Sequence, residues 1–446
     1  MHISKIIIFI AAFLICNTAH GMQIIIDEEA EEVITEIARP IFTAAGLPGR
    51  DLKIKIVGDK SINAFVMDNT NIFIFTDLIT FSDNPDVLAG VIAHECAHIA
   101  LGHISLTREK MESLKNKMIA STILGAAAGL LSGNFETFGA VALGGKHAAE
   151  MDFLKHSRIQ ESQADAAAIK YLEKIKLSPD GLSKLLRHLN SNERIFYKGS
   201  NPYLLTHPVS RERINYIKQN TNLSSGALPA SLNHRYKMVV AKIFAFTSPF
   251  KEVFKKYGGT DKPDLYAHSI AYYKIGKLKT ALELIDKLLL LEQNNPYFIE
   301  LKAQFLYENG KVNESITYYE KALKLKSTST IFKIELASAL ITADSDLKKA
   351  GELLRSAIDV DRSNFSAWHS LGVVLGKENM TDYSYIALAR AFAIIGDTKT
   401  AKKFINSVSS KSDHIKDPFY MSALEEAKTA IKNRKSLAYS HKTFKR

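Results

Sequence analysis

Apolar side chains recur at helical spacing near the start of the chain. Val33, Ile34, Ile37, Ala38 and Ile41 share one face, which predicts a helix within residues 22–46. The period then drops to two: Leu52, Ile54 and Ile56 alternate with Lys53 and Lys55, the pattern of a half-buried strand. A second strand is expected at Ile72-Phe73-Ile74-Phe75, after Asn63-Ala64-Phe65 and the turn-forming Asp68-Asn69-Thr70-Asn71. Asn84-Pro85 is a helix-start signal and predicts a helix beginning near Asp86. That helix is apolar on most sides, through Val91, Ile92, Ala93, Ile99, Ala100 and Leu101, so it belongs in a core. Two Gly- and Ala-rich apolar runs follow, 118–131 and 138–145. Neither reaches the roughly 20 apolar residues of a spanning helix. They read as a helical hairpin covering a cleft or, alternatively, as a surface in peripheral contact with a membrane.

The pattern weakens over 221–261, where Ser224-Ser225-Gly226 and Gly258-Gly259 punctuate a linker or helical connection. Beyond it the chain repeats. Tyr272-Tyr273-Lys274-Ile275-Gly276-Lys277 returns as Leu306-Tyr307-Glu308-Asn309-Gly310-Lys311, and the two glycines stand 34 residues apart, the tetratricopeptide period. Ala281 is matched by Ser315 and approximately by Ala350. The second helices of the units fall at Ala281–Leu291 and Ser315–Leu325. A later unit spans Tyr385–Val408, with Gly396 in its turn and Ala401 beyond. About four units are expected over 262–435, with a basic tail at 436–446. Trp368, the single tryptophan, should pack inside the array. Such a solenoid buries a continuous core and leaves a groove for a protein partner.

The N-terminus adds a location. His2 and Lys5 precede the apolar run Ile6–Ile15, and Ala19-His20-Gly21 supplies small residues for cleavage before Met22. This is the three-part pattern of a secretory signal peptide over residues 1–21, expected to export the chain to the periplasm; an uncleaved membrane anchor is the alternative, for which the apolar run is short. Of the two cysteines, Cys16 lies in that leader, so Cys96 has no partner within the mature chain. The 58 Lys and Arg against 47 Asp and Glu give a net charge of +11. These residues are spread along the chain with no nucleic-acid motif, so no nucleic-acid partner is expected.

The chemistry sits on the apolar helix, in His94-Glu95-Cys96-Ala97-His98. Residues four apart share one helix face, so two imidazoles can reach one zinc ion. Glu95 then stands beside the open coordination position, where a carboxylate can take a proton from water. Zinc needs a third protein ligand. Downstream, Glu161-Ser162-Gln163-Ala164-Asp165 offers two carboxylates four apart on a second helix with an Ala-rich flank. If Glu161 binds the metal, Asp165 is placed to accept a hydrogen bond from the far nitrogen of a ligand histidine. Cys96 lies away from the metal face, and His103 extends the helix as a structural residue.

Together these residues resemble the gluzincin peptidases of the HtpX and CAAX-prenyl-endopeptidase clan, above all their exported BepA-like members with tetratricopeptide domains. Asn63-Ala64-Phe65 with the strand at Ile72, the stretch Pro85–Gly90, and Thr206-His207-Pro208 with Arg213-Ile214 match further family segments. The resemblance implies an α+β zincin-type metallopeptidase domain over 22–220, mostly helical with a small sheet, followed by an all-α tetratricopeptide-repeat solenoid. It makes His94, His98 and Glu161 the ligands of one zinc ion per chain, Glu95 the general base and Asp165 its support behind the ligands. His207 falls near the metal, either to stabilise the oxyanion or to occupy the open site at rest. Arg213 bridges within the site or anchors its helix. Asn63, Ala64, Phe65, Ile72, Phe73 and Ile74 line the substrate cleft, where an extended chain would add to the strand at Ile72–Phe75. The implied activity is hydrolysis of misfolded or misassembled envelope proteins, with the repeats recruiting substrate or outer-membrane assembly machinery. The alternative is a chaperone-like adaptor with a largely silenced protease site.

Overall fold

Asp27 sets the first helix. Its carboxylate accepts from the Ala30 N–H at 2.9 Å, and Glu28, Glu29 and Glu31 place negative charge in the first turn, where the helix dipole favours it. The computed structural model describes residues 23–49, 52–66, 70–103, 158–192, 207, 209–220, 226–408 and 415–443. In helix α1 (Glu28–Ala44), Val33, Ile34, Ile37, Ala38 and Ile41 are all fully buried, as their spacing requires. The expected leader at 1–21, the turn residues Asp68 and Asn69, and the runs at 118–145 lie outside the described residues.

Four strands form one sheet in the order β1 (Ile24–Ile25), β2 (Lys53–Val57), β4 (Asn71–Phe75), β3 (Ala64–Val66). β2 and β4 run parallel; β3 returns antiparallel on the far side of β4, pairing Ala64 with Ile74 and Val66 with Ile72. This corrects one expectation. The backbone of Ile72, Phe73 and Ile74 is bonded to strands on both sides, so no extended chain can add there. Among the described residues, the open edge on this side is β3.

After the short α2 (Thr76–Thr80) comes α3 (Pro85–Ala100), capped by Asn84 accepting from the Asp86 N–H at 2.9 Å. Every residue from Val87 to Ile99 is buried. Helix α4, described over 158–174, and α5 (Asp180–Asn192) complete the surround of α3, with α6 (Arg211–Gln219) packed on α5. Gly90 lets α3 and α5 approach closely, since a Cβ there would lie 2.8 Å from the Leu182 backbone nitrogen.

The stretch 221–261, expected as a linker or helical connection, holds α7 (Ala230–Thr247) and α8 (Phe250–Lys256). Leu232, Tyr236, Val239, Val240 and Ile243 of α7 enter the same core as α1 and α3. Tyr236 donates to the Ile79 carbonyl at 3.0 Å, and buried Lys242 reaches Asp27 at 2.7 Å and Glu29 at 3.3 Å. The chain divides into two compact units after Gly258.

The second unit is a run of helix hairpins: α9 (Lys262–Lys274) with α10 (Leu278–Leu291), α11 (Pro296–Glu308) with α12 (Val312–Leu325), α13 (Thr330–Thr342) with α14 (Leu347–Val360), and α15 (Phe365–Lys377) with α16 (Thr381–Ile394). Each turn places a residue in the left-handed region at an equivalent position, Gly276, Gly310, Asp344 and Asn379, at φ between 53° and 78°, and the third turn adds Asp346 at φ 38°. The equivalent positions fall 34, 34 and 35 residues apart. The unit expected at Tyr385–Val408 is therefore out of phase. It joins the second helix of the fourth hairpin to α17 (Thr398–Ser407), and the fourth turn is at Asn379. Asn and Asp reach this backbone region without glycine because their short polar side chains bond locally. Ala281, Ser315, Ala350 and Ser384 repeat as small buried residues of the second helices. Trp368 is fully buried, stacks on Phe419 at 4.9 Å and donates from Nε1 to the Arg362 carbonyl at 3.0 Å. The last helix, α18 (Pro418–Thr443), carries the backbone into the stretch expected as a basic tail. No helix among the described residues is long and apolar enough to cross a membrane.

Candidate metal centre

Helical spacing on α3 sets His94 and His98 one turn apart, with Nε2 of each ring 3.1 Å from the other. Glu161, from α4, completes the triangle: its Oε2 is 3.2 Å from His94 Nε2 and its Oε1 3.4 Å from His98 Nε2. His207 closes a fourth corner, its Nδ1 lying 3.4 Å from His94 Nε2 and 3.1 Å from Glu161 Oε1. All four residues are buried, and one atom from each lies within 4.8 Å of the others.

Two observations test whether zinc fits. Bonds of 2.0–2.1 Å in tetrahedral array put neighbouring ligand atoms about 3.3 Å apart. Four donor separations, at 3.1–3.4 Å with each Glu161 oxygen facing one histidine, match that edge. The second observation is charge. Glu95, Glu161 and Asp165 are buried with a single guanidinium, Arg213, so the ionised cluster is two positive charges short, the deficit a divalent cation supplies. Uncompensated buried charge costs several kcal/mol, by an order-of-magnitude estimate, so the donor set requires a cation or protons in its place.

The residues behind the donors fix their orientation. Asp165, one turn beyond Glu161, sets its Oδ1 3.0 Å from His94 Nδ1. Arg213 of α6 donates from Nε to Asp165 Oδ2 at 2.7 Å and from a terminal nitrogen to Oδ1 at 2.9 Å, and its other terminal nitrogen lies 2.9 Å from Glu161 Oε2. The Ser210 hydroxyl caps α6 by accepting from the Arg213 N–H at 3.3 Å, which aims this side chain inward from the first turn. Arg213 thus joins both carboxylates of α4, with 5% of its surface exposed.

Electrostatics follow from this layout. Burial lowers the basicity of His94, but Asp165 and Glu161 overcome it and carry its pKa up to about 10. Burial outweighs the pull of Glu161 and, with His94 beside it, brings His98 down to about 3, leaving a free lone pair on that ring. Burial would raise both carboxyls of α4, yet the histidines around Glu161 hold it well below its ordinary range, and His94 and Arg213 lower Asp165. Glu95 is the exception. It is buried, both its oxygens lack a well-formed hydrogen bond, and burial raises its pKa. Its nearest polar neighbours are His207 Nε2, 3.4 Å from Oε1, and the backbone N–H of Val66 on β3. A buried carboxylate with no well-formed hydrogen bond, beside a metal-ligand triangle, is placed to exchange a proton with a molecule entering the site.

Of the other expected site residues, Asn63 is buried with an unsatisfied side-chain oxygen, Ala64 is buried, and Phe65 stacks on Phe73 at 5.0 Å. Ile72 and Ile74 point into the core of the first unit. Cys96 is also part of that core, and burial pushes its thiol pKa up. Thr206 and Pro208 lie outside the described residues. His103, expected as a structural residue extending the helix, stands directly behind a donor. It is buried, with Nδ1 3.0 Å from His98 Nδ1. The signal was present in Gly102-His103, just past the last turn of the helix.

Residues 27–221 match the model of Peptidase family M48. The chain is 23% identical over 367 residues to the Beta-barrel assembly-enhancing protease of Escherichia coli (strain K12), covering 80% of this chain and 74% of that protein. It is 25% identical over 190 residues to the Mitochondrial metalloendopeptidase OMA1 of Schizosaccharomyces pombe, covering 42% of this chain and 51% of that one. Solved structures similar to parts of it include MamA, at TM-score 0.29 and 18% identity over 38% of this chain and 96% of that one. Another is YrrB, a TPR protein with an unusual peptide-binding site, at TM-score 0.32 and 15% identity over 38% of this chain and 89% of that one. The first unit thus carries a Peptidase family M48 domain, and the chain is a zinc metalloendopeptidase with a tetratricopeptide-type helical array behind it.

Proposed function

We propose that His94, His98 and Glu161 hold one zinc ion, that Glu95 is the general base, and that the enzyme cleaves unfolded or misassembled proteins of the cell envelope. The observation that carries the site assignment is the donor triangle with edges of 3.1–3.4 Å and the buried Glu95 carboxylate beside it, its oxygens without a well-formed hydrogen bond. Zinc, when bound, supplies Lewis acidity that polarises a scissile carbonyl and acidifies water. Glu95 takes the proton from that water and delivers it to the leaving amine. Burial raises its pKa above the ordinary carboxylate range, which strengthens it as a proton acceptor. Asp165 and Arg213 hold the donors in place. The edge of β3, whose Val66 N–H faces Glu95, is where an extended substrate backbone would pair. Main-chain pairing selects for extended chain more than for side chains, which favours unfolded substrates.

Substrate class and location rest on the relatives named for enhancing β-barrel assembly, and on the leader pattern at 1–21. On this reading the enzyme works in the periplasm, and its repeats recruit substrate or an outer-membrane assembly partner. We take the metallopeptidase unit as residues 22–258 and the repeat unit as 259 onward. A second reading is favoured by one distance: His207 Nδ1 lies 3.1 Å from Glu161 Oε1, on the fourth corner of the donor set. There it closes the site at rest, and an adaptor role would dominate until it moves.

Cleavage of an unfolded protein by Glu95→Gln, His207→Ala and unaltered enzyme separates the two readings. Glu95→Gln should keep one zinc per chain and lose about 10²–10⁴-fold in rate. A faster His207→Ala would assign His207 to closure, and a slower one to catalysis. Equal cleavage by all three proteins would remove the peptidase assignment of Glu95.

A further inference from the structure

His94 and His98 are held from behind by different chemistry. Behind His94 stands the Asp165 carboxylate, 3.0 Å from Nδ1. Behind His98, at the same 3.0 Å from Nδ1, stands another imidazole, His103. Helix α3 ends at Ala100. Leu101 donates back to Ala97 at 2.9 Å and Gly102 to Ile99 at 3.0 Å. Gly102 then takes φ +69°, the left-handed conformation that ends helices and favours glycine. This turn folds the chain back, so His103 is 3% exposed although it follows exposed Leu101, and its ring meets that of His98 edge-on at 5.0 Å. Gln160, the neighbour of Glu161, brings its side-chain nitrogen to 3.5 Å from the His103 carbonyl.

We infer that His103 is a positioning residue for the metal centre: its neutral ring accepts a hydrogen bond from His98 Nδ1–H and so keeps a lone pair on His98 Nε2. The chemistry allows one arrangement. A ring whose Nε2 faces a cation must carry its proton on Nδ1. The nitrogen 3.0 Å from His98 Nδ1 must then be an acceptor, so His103 Nδ1 is bare and its proton sits on Nε2. Without the acceptor, His98 is free to adopt the other tautomer, which places a proton where the metal belongs. Partners behind metal-binding histidines raise affinity by about 10–100-fold. The histidine–histidine pair differs from the histidine–aspartate pair beside it in adding no negative charge.

This inference rests on His98 being a ligand, and the test separates the two. Zinc affinity is measured by competition with a chromophoric chelator for unaltered enzyme, His98→Ala, His103→Phe and His103→Gln, with folding followed by circular dichroism. His98→Ala should lose zinc. His103→Phe, which fills the space without an acceptor, should bind about 10–100-fold more weakly. His103→Gln, which restores an acceptor oxygen, should recover most of that loss. Unweakened zinc binding in His98→Ala would remove the ligand reading itself. Loss in His98→Ala with none in folded His103→Phe would overturn the role of His103 alone, as would equal loss in Phe and Gln variants. Should His103→Phe not fold, ¹⁵N spectra of the zinc-loaded enzyme decide. A scalar coupling across the hydrogen bond between His98 Nδ1 and His103 Nδ1 is expected, and its absence would overturn the inference.

Discussion

Two arginines show how differently the two units use charge. In the metallopeptidase unit, Arg213 spans Asp165 and Glu161 at 2.7 and 2.9 Å with 5% of its side chain exposed. In the repeat unit, Arg362 reaches Glu426 at 2.8 Å with 38% of its side chain exposed and 33% of its partner's. Distance alone would rank them equal. Burial does not, because a charge removed from water must be matched within the protein, whereas one at the surface is screened. The contrast extends across each unit. Glu29, His94, Glu95, Glu161, Asp165, Arg213 and Lys242 are buried in the first, while among the described residues of the second Glu300 is the one buried charged side chain, in a core of Ala, Leu, Ile and aromatic residues around Trp368. The first unit spends stability to hold a constellation. The second is held together by packing between neighbouring helices.

The largest break in this comparison comes from truncating both arginines. Arg213→Ala leaves Asp165 and Glu161 buried without their cation and should cost about 3–5 kcal/mol. Arg362→Ala should cost under about 1 kcal/mol. Urea unfolding followed separately in the two units would measure both. Comparable losses would mean that burial does not distinguish these ion pairs. Chelation comes next. A ligand at about 100 times its dissociation constant adds about 2.7 kcal/mol to the unit that binds it. Calorimetry with and without a chelator should therefore move the transition of the metallopeptidase unit by about 5–10 °C and leave the repeat transition in place.

What the sequence allowed to be read follows the same division. Residues whose role depends on near neighbours were legible: the helix face of Val33 to Ile41, the His94–His98 pair, the Glu161–Asp165 pair, and the glycine turns at Gly276 and Gly310. Roles set by distant chain were not. β3 returns on the outer side of β4, so the open edge lies at Ala64–Val66 rather than Ile72–Ile74, and no local pattern encodes that strand order. The helix Ala230–Thr247 is flanked by linker-like Ser and Gly, yet it fills the core against α1. Asp344 and Asn379 replace glycine in the third and fourth turns, which shifted the apparent phase of the repeat to Gly396. His103 reads as a helix-end residue until the left-handed Gly102 folds it back.

The turns give a smaller test, now inside the repeat unit. A Cβ in the left-handed region costs about 1–2 kcal/mol, less where a short polar side chain bonds locally. Gly310→Ala, at φ +78°, should lower the stability of the repeat unit, read by urea unfolding, by that amount. Asn379→Ala, at φ +61°, should lower it by about half as much, since asparagine already bears part of the strain. No change in either would mean that the turns do not fix the phase of the array.

The smallest expected effect returns to the first unit and turns on pH. Glu31 lies in the first turn of α1, among Asp27 and Glu28. Burial raises its pKa from 4.5 to about 7, the two carboxylates add to the rise, and Lys55 opposes it. A carboxyl whose folded pKa is raised binds its proton more tightly folded than unfolded. Its contribution to stability is therefore complete below pH 4.5 and is lost as pH rises from 4.5 to about 7. Glu31→Gln carries no such titration. The two proteins should be nearly equal in stability at pH 4.5, and the variant should be more stable by about 1 kcal/mol at pH 8, discounted for the partial exposure of the side chain. Calorimetry at both values would record a difference confined to the transition of the metallopeptidase unit. A variant less stable at pH 8 would mean that the ionised Glu31 gains more from Lys55 and the helix N-terminus than it loses by burial, and the first unit would then tolerate that charge as readily as the repeat unit tolerates its surface pairs.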